Sequence, residues 1–502
     1  MKALRSGHLF IVLISVLLSL LYLPPVDDIH YDQDVFEYAG MLIAKGGVPY
    51  VDLFDHKPPL IYFVDLAGYW LGPWGAWFID ALLVAVATIF FYDRCREKKL
   101  PLPWLLPLFF NLLIRNYMVL GGYASTRGFT AMFLIIAFCI LLKRPRYSFF
   151  WLGLLTSATF LMQQEQLLTL APFLVYAIAD NLSTARQFLI RLAQAAAGAS
   201  VIAVPILGFF FVHHALDALW RDAFLFNLTW YADKPPLGDH FRAIHSSLTY
   251  TELNIALLIC ITLAITALLL PGKPKKLTVV ALLATAFSFA PELISGRMVA
   301  KNHVFDYYLT PLAATLPVLL FTAWAATEHP FLRSKVSHAV FGFLVCASPL
   351  YNALQHATHL RLDNDRIATA TPQYQYLNRQ PLADYQLYVF GNKLWPLLYD
   401  HFRILSPSPW IYHHFWHWYP RWDNDHKILM SIGHDLLAHR TRYVLDFSDP
   451  KYFVDHDAYT WWKTFLQLHY RPIRLPGASD QTLWELKPDA INIPPPAGPP
   501  AS

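Results

Sequence analysis

Long apolar runs recur along the first 354 residues and are separated by short polar segments. About 20 apolar residues in a row suffice to cross a bilayer as a helix. The two short runs on either side of Gln163-Gln164-Glu165-Gln166 are predicted to form a helical hairpin with a polar tip, or else one long buried helix. We predict eleven spans in all, at about 9–23, 74–92, 103–120, 127–142, 148–162, 166–180, 190–213, 251–271, 277–294, 307–326 and 336–354.

The short loops between these runs carry clusters of Lys and Arg, which mark the cytoplasmic side of a membrane protein. Alternation from an inside N-terminus places all five clusters in the cytoplasm: 94–99, 143–146, 186–191, 273–276 and 333–335. The same alternation leaves no place for a full span at 59–72, so this run is predicted to lie in the interface or to re-enter from outside. It places these segments outside: 25–73, 121–126, 214–250, 295–306 and everything after about 355.

Composition supports a polytopic α-helical membrane protein. The chain is 56% hydrophobic and only 15% charged, with a mean hydropathy of +0.35, whereas soluble domains carry about 25% charged residues. A net charge of +4 without a basic face argues against a nucleic-acid partner. No common nucleotide-binding motif is present, so no nucleotide cofactor is expected. The first apolar run lacks a small-residue cleavage site, and it is therefore predicted to be a retained span and not a signal peptide.

Beyond residue 355 the pattern changes to short strands that alternate with helices. Strands are predicted at 386–391, 443–447 and 482–486, and helices at 395–402 and 428–439. This alternation predicts a small extracytoplasmic α/β domain over 355–490. The Pro- and Ala-rich tail at 491–502 is predicted to be disordered.

The first external loop, 25–73, concentrates acidic and aromatic residues in an otherwise apolar chain. Because the acids alternate with aromatic residues and lead into an apolar segment, they are predicted to lie at the mouth of a cavity; a solvated rim is the alternative. A helix is predicted at 36–44, with Asp32 and Asp34 just before its N-terminus, where the helix dipole favours ionised carboxylates. Such a carboxylate serves as a general base or a cation ligand.

Lys57 immediately precedes Pro58-Pro59 and an apolar segment. Proline is favoured in the first turn of a helix, and the N-terminus of a helix is a favourable place for a phosphate. Lys57 is therefore a candidate phosphate ligand. The alternative is an interfacial lysine whose ammonium group reaches water.

Three motifs of this loop carry a family resemblance: Asp32-x-Asp-x-Phe-x-Tyr-x-Gly40, Gly46-Gly-x-Pro-Tyr50 and Asp52-x-Phe-Asp-His-Lys-Pro-Pro-Leu60. Together they resemble the first external loop of bacterial GT-C glycosyltransferases, which are relatives of the protein O-mannosyltransferases and of the lipid A aminoarabinose transferase. Further segments match the pattern of that family: 226–231, 303–311, 388–391 and 442–446.

The resemblance implies a GT-C-like transmembrane catalytic domain over 1–354 and a glycosyltransferase of the hexosyltransferase type. Such an enzyme moves a monosaccharide from a polyprenyl-phosphate-linked donor to an envelope acceptor (a lipid, glycan or protein) at the outer face of the bacterial cytoplasmic membrane. Asp32 then matches the catalytic base, and Asp34 completes an acidic pair that some relatives use around a divalent cation. The predicted substrate-binding residues are Asp55, His56, Lys57, Arg127, Arg297, Lys301, His303 and Tyr307.

The sequence departs from the family pattern at two places. The loop at 121–127 lacks the acidic residue that many relatives have, which weakens a metal-dependent mechanism. Gln163-Gln164 stands where a lysine is frequent, which leaves five candidates for the donor phosphate. They are Lys57, Arg127, Arg297, Lys301 and His303.

Two other classes of function are consistent with a polytopic chain. The first is a transporter or flippase of lipid-linked saccharide with an acidic external vestibule, and the second is a non-catalytic scaffold whose external domain binds envelope polymers. Transporters place ionisable residues at mid-membrane and often contain repeated halves. The acids of this chain are external, and the sequence shows no internal repeat, which favours the enzyme.

Overall fold

Apolar helices make up most of the first 359 residues in the computed structural model. The structure describes residues 6–23, 31–116, 123–181, 184–231, 235–270, 275–300, 306–359, 371–391, 395–411, 426–448, 456–476 and 482–490. The described α-helices of this region that have at least 6 residues are α1 Ser6–Ser19, α2 Tyr31–Ala44, α3 Leu60–Leu71, α4 Gly75–Glu97, α5 Leu105–Ile114, α6 Thr126–Lys143, α7 Ser148–Met162, α8 Leu167–Asn181, α9 Ala185–Val212, α10 Leu237–Tyr250, α11 Leu253–Leu269, α12 Lys276–Phe287, α13 Ala290–Ser295, α14 Leu312–Ala326 and α15 Lys335–His359.

Six segments of the described chain are long and apolar enough to cross a membrane. A seventh span results if α10 and α11, which meet at a bend of 102°, cross as one broken helix. The chain is therefore a multi-pass membrane protein, while the predicted count of eleven spans and the predicted sidedness stay predictions. The six segments are Gly75–Glu97, Thr126–Lys143, Ala185–Val212, Lys276–Ser295, Asp306–Ala326 and Lys335–Thr358.

Two predictions about shorter apolar segments can be compared with the described helices. α3 has 12 residues, a length of about 18 Å against a hydrocarbon core of about 30 Å, so it is too short to cross alone. The Gln163–Gln166 segment divides two helices, α7 and α8, by a 3₁₀ turn at Gln164–Gln166. A single long helix through this polar segment is therefore the wrong alternative.

The C-terminal region contains a four-stranded sheet flanked by helices. The order of its strands is β1-β2-β4-β3, with β1 parallel to β2 and the other pairs antiparallel. The predicted strands and helices are present. The helices Pro372–Leu377 and His456–His469 and the strand Tyr470–Ile473 were not predicted, and the tail at 491–502 lies outside the described residues. The elements are α16 Pro372–Leu377, β1 Leu387–Phe390, α17 Trp395–Phe402, α18 Lys427–Ala438, β2 Tyr443–Asp446, α19 His456–His469, β3 Tyr470–Ile473 and β4 Thr482–Leu486.

The C-terminal domain packs directly on the first loop of the chain. The backbone N–H of Phe54 donates to the Pro409 carbonyl at 2.9 Å, and the N–H of Ser406 donates to the Tyr38 hydroxyl at 2.9 Å. One buried apolar cluster joins Phe54, with residues of the 226–231 segment, to the sheet and helices of the domain. The domain therefore forms part of the support for the loop that carries the candidate site.

Candidate active site

Helix α2 places the first acids of the chain. It begins at Tyr31 and not at 36 as predicted, so Asp32 and Asp34 lie in its first turn and not before it. Acidic residues in a first turn complement the positive end of the helix dipole, which accounts for the earlier start. Because each helical residue turns by about 100°, the two carboxylates leave α2 on different faces.

Asp32 and Lys57 form an ion pair, with Lys57 Nζ 3.3 Å from Asp32 Oδ2. The Lys57 side chain is only 7% exposed and that of Asp32 is 34% exposed. The carboxylate thus lies nearer to solvent and the ammonium group deeper in the protein. An interfacial lysine reaching for water, the alternative raised from the sequence, does not match this burial.

The loop around Lys57 is held by buried tyrosines. The Tyr50 hydroxyl donates to the Lys57 carbonyl at 2.6 Å, and the Tyr62 hydroxyl donates to Asp55 Oδ2 at 2.8 Å. Burial raises the pKa of Asp55 to about 6, although Lys57 and the Tyr62 hydrogen bond favour its ionised form. Asp55 is therefore a buried anchor of the loop, and its burial limits direct contact with a substrate.

His56 is also buried, and it connects the loop to the 226–231 segment. Its ring lies 4.4 Å from the ring of Tyr231, and its carbonyl accepts a hydrogen bond from Asn227 Nδ2 at 2.7 Å. The segment around Asn227 and Tyr231 forms π-helical turns at Trp220–Leu225 and Asn227–Tyr231. The motif at 226–231 thus forms one wall of the site.

Arg127 lies at the start of α6 and packs against the rings of Tyr307 and Tyr308. Its guanidinium carbon is 3.9 Å from the centroid of the Tyr308 ring and 4.8 Å from that of Tyr307. It is 3% exposed, and its Nη2 is 3.3 Å from Glu165 Oε1. The Tyr308 hydroxyl lies 3.1 Å from the Tyr231 hydroxyl, and the Tyr231 ring packs on His56, the neighbour of Lys57. Arg127 and Tyr307 therefore belong to the same neighbourhood as the Asp32–Lys57 pair.

The remaining phosphate candidates lie in a segment that is only partly described. The backbone of Arg297 forms a short helical turn, Arg297–Ala300, while the Arg297 side chain, Lys301 and His303 lie outside the described residues. Glu292, which the sequence analysis did not identify, anchors this turn: its Oε2 accepts from the Met298 N–H at 2.9 Å. The single charge of Glu292 within an apolar run of the sequence is the feature that could have identified it.

Asp34 joins a second group of acids and does not pair with Asp32. Burial, then the charges of Glu37 and Asp400, raise the pKa of Asp34 well above its usual range, and Asp32 contributes less. This geometry does not fit one divalent cation shared by Asp32 and Asp34. Among the described residues, no three His, Cys, Asp or Glu side chains are arranged to hold a metal ion.

The chain thus combines a multi-span helical bundle, an acid–lysine pair between α2 and the loop before α3, and a small α/β domain packed on that loop. The chain is similar over 95% of its length to ArnT from Cupriavidus metallidurans, in a crystal structure with bound undecaprenyl phosphate. The TM-score is 0.55, the sequence identity is 13%, and the match covers 97% of that chain. The likeness confirms the predicted GT-C resemblance at the level of the fold.

Two weaker likenesses accompany this one. The apo oligosaccharyltransferase of Archaeoglobus fulgidus matches with a TM-score of 0.44 and 12% identity, covering 96% of this chain and 74% of that one. AglB from the same organism, with an inhibitory peptide and a dolichol-phosphate, matches at 0.37 and 11% identity, covering 97% and 75%. No protein-family model matches the sequence, and no curated protein sequence matches it either.

Proposed function

We propose that this protein is a membrane glycosyltransferase that moves a monosaccharide from a polyprenyl-phosphate-linked donor to an envelope acceptor at the outer face of the cytoplasmic membrane. The observation that carries the proposal is the pairing of Asp32 with the buried ammonium group of Lys57. The likeness of the whole chain to a protein crystallised with undecaprenyl phosphate supports the choice of a lipid-linked donor.

The reaction is a single displacement at the anomeric carbon of the donor sugar. Asp32 accepts the proton of the acceptor hydroxyl while the oxygen of that hydroxyl attacks the anomeric carbon. The bond from that carbon to the phosphate oxygen breaks, and the polyprenyl phosphate leaves with its electron pair. Negative charge develops on the leaving phosphate, so a preorganised cation stabilises the transition state more than the ground state.

We assign the role of that cation to Lys57, because Tyr50 holds its backbone carbonyl and Asp32 holds its ammonium group. In the structure its ammonium group is paired with Asp32. A donor phosphate that enters beside Lys57 competes for this pairing and releases the Asp32 carboxylate to act as the base. Arg127, buried against Tyr307 and Tyr308, is a second cation of the same neighbourhood.

The test is transfer by purified protein in liposomes supplied with a panel of polyprenyl-phosphate sugars and extracted envelope lipid and glycan acceptors. Asp32→Asn should lower the rate by about 10²–10⁴, the usual contribution of a general base. Asp52→Asn is the matched control, since Asp52 lies exposed in the same loop and its amide counterpart still accepts from the Val48 N–H.

Two results would overturn the proposal. One is full transfer activity in Asp32→Asn protein that melts at the wild-type temperature. The other is transbilayer movement of a fluorescent polyprenyl-phosphate sugar by the wild type, without transfer to any acceptor, which is the behaviour of a flippase.

A further inference from the structure

A cleft opens on a different face of α2 from the one that carries Asp32. It lies between the end of α3, the start of α4 and helix α17 of the C-terminal domain; its enclosed part has a volume of about 20 Å³, room for one water-sized group such as a primary ammonium, and the rest is open to solvent. Gly40 allows α2 to approach α3 closely here, because a Cβ at this position would lie 2.5 Å from the Asp65 carbonyl carbon. Neither Asp32 nor Lys57 is among the described residues that line the cleft, so it is separate from that pair.

Carboxyl groups predominate in this cleft. Glu37, Asp65 and Asp400 line it, and Arg403 is the one basic residue among its described lining residues. Arg403 is already shared, because its Nη1 lies 3.2 Å from Asp400 Oδ1 and donates to it. The side of the cleft formed by Glu37 and Asp65 thus lacks a basic residue of its own among those lining residues.

Asp65 provides an independent sign of a missing ligand. The residue is 2% exposed, and its Oδ1 accepts from Gln33 Nε2 at 2.9 Å. Its Oδ2 is buried and has no hydrogen-bond donor among the described residues. A buried carboxylate oxygen without a donor is costly. A ligand that is positively charged and carries N–H donors would complete it.

The position of the cleft suggests where such a ligand comes from. The turn from α3 to the spanning helix α4 lines the cleft, and the side chains of Trp70 and Trp74 at this turn are 72% and 52% exposed. Exposed tryptophans at the end of a span lie at the level of the lipid headgroups. The cleft therefore opens at headgroup depth.

We propose that this cleft binds the headgroup of an aminophospholipid, with the primary ammonium group between Glu37 and Asp65 and the lipid phosphate beside Arg403. Arg403 is suited to the phosphate because its side chain is 44% exposed and lies over the Tyr69 ring at 5.3 Å. Guanidinium groups match the geometry of phosphate oxygens. The proposal does not depend on the glycosyltransferase function, since it concerns another face of α2.

The chemistry of the cleft distinguishes between lipid headgroups. A primary ammonium group donates three hydrogen bonds, like that of lysine, so it satisfies the unpaired oxygen of Asp65. The trimethylammonium group of choline has no N–H donor and is larger, and a glycerol headgroup has no positive charge. We therefore expect phosphatidylethanolamine to be preferred over phosphatidylcholine and phosphatidylglycerol.

The experiment is native mass spectrometry of the full-length protein after exchange into detergent with equal amounts of these three lipids. Phosphatidylethanolamine should be retained about tenfold more than the other two, given the strength of charge-assisted hydrogen bonds. Asp65→Asn and Glu37→Gln should each abolish most of this preference, and Asp52→Asn should leave it unchanged. Using two cleft variants guards against one that does not fold.

Equal retention of the three lipids by the wild type would overturn the proposal. So would an unchanged preference in both cleft variants. A third arm adds soluble phosphoethanolamine: if it displaces nothing, the ligand is a lipid, as proposed. If it binds in place of all retained lipid, the cleft recognises a soluble aminoalkyl phosphate and the lipid assignment is wrong. None of these measurements uses a sugar donor, so a failure here leaves the proposed transfer reaction separately testable.

Discussion

On one face of α2 the carboxylate of Asp32 lies 3.3 Å from the ammonium group of Lys57; on another face Glu37 and Asp65 line a cleft that Asp400 and Arg403 also share. The first acid has a basic partner within the chain, and the second group has more carboxylates than basic residues. Burial and the charge of Asp400 raise the pKa of Glu37 to about 7, although hydrogen bonds from Tyr123 and Gln33 favour its ionised form. Acidic residues on one helix thus have different partners: Asp32 has a lysine, and Glu37 has other carboxyl groups and hydrogen-bond donors.

The comparison teaches that acid content alone does not identify the catalytic face of this helix. A carboxylate that is to accept a proton must be accessible and close to the charge that develops in the reaction. Asp32 meets these conditions through its exposure and its partner Lys57. The acids on the other face are oriented toward a cleft formed with the C-terminal domain, where a bound cation is the more consistent role.

The largest expected effect on turnover is that of replacing Lys57. Lys57→Met keeps an apolar stem in the buried site and removes the charge, and it should lower turnover by about 10²–10³, as loss of a preorganised charge-stabilising group does. Transfer rates and melting temperatures of the purified variant are the measurements. Lys45→Met is the control, since Lys45 lies at the C-terminal end of the same helix region and pairs with Asp384, away from Asp32. A variant with wild-type turnover would remove Lys57 from the mechanism.

A smaller effect is expected for Asp34→Asn. Because Asp34 lies with Glu37 and Asp400 and not beside Lys57, turnover should fall by less than about tenfold, below the range of general base catalysis. The rate is measured beside that of Asp32→Asn. If both variants lose activity equally, the two faces act as one site, and a cation bridging Asp32 and Asp34 regains support.

The smallest expected effect is on the pH dependence of stability. Since the pKa of Glu37 is raised to about 7, the folded state holds its proton more tightly than the unfolded state, and stability should fall as pH rises from about 4.5 through 7. The melting temperature in detergent, followed from pH 5 to pH 8, should fall less in Glu37→Gln than in the wild type. An equal decline in both proteins would contradict the assignment. The charged and hydrogen-bonding groups around Glu37 are Gln33, Asp34, Asp65, Tyr123, Asp400 and Arg403.

Much of the fold could be predicted because it depends on local patterns. Apolar runs predicted α4, α6 and α9, and short alternating segments predicted the strands at 387–390 and 443–446. Strand β3 was missed because Pro472 interrupts its pattern, and proline is tolerated only on an edge strand such as this one. Its neighbour α19 was missed although its apolar residues recur at helical spacing.

The site was less predictable because it depends on contacts between distant segments. The motif resemblance singled out Asp32 and Lys57, yet their pairing follows from the packing of α2 on the loop before α3. Asp34 was grouped with Asp32 because the family resemblance implies an acidic pair at these two positions. Because the helix already starts at Tyr31, Asp32 and Asp34 are both helical, and their side chains point about 200° apart around the helix axis.

The attachment of the C-terminal domain to the first loop has a consequence for how such a protein is divided in evolution or in engineering. One backbone hydrogen bond joins Phe54 to Pro409, and the Ser406 N–H donates to the Tyr38 hydroxyl. The boundary of the C-terminal domain therefore runs through contacts that support the loop of Lys57. Phe54 also inserts its ring against Trp410 and Phe226. A chimera that exchanges this domain with that of a relative therefore has to exchange residues 36–57 as well. The loop and the domain that packs on it are expected to change together.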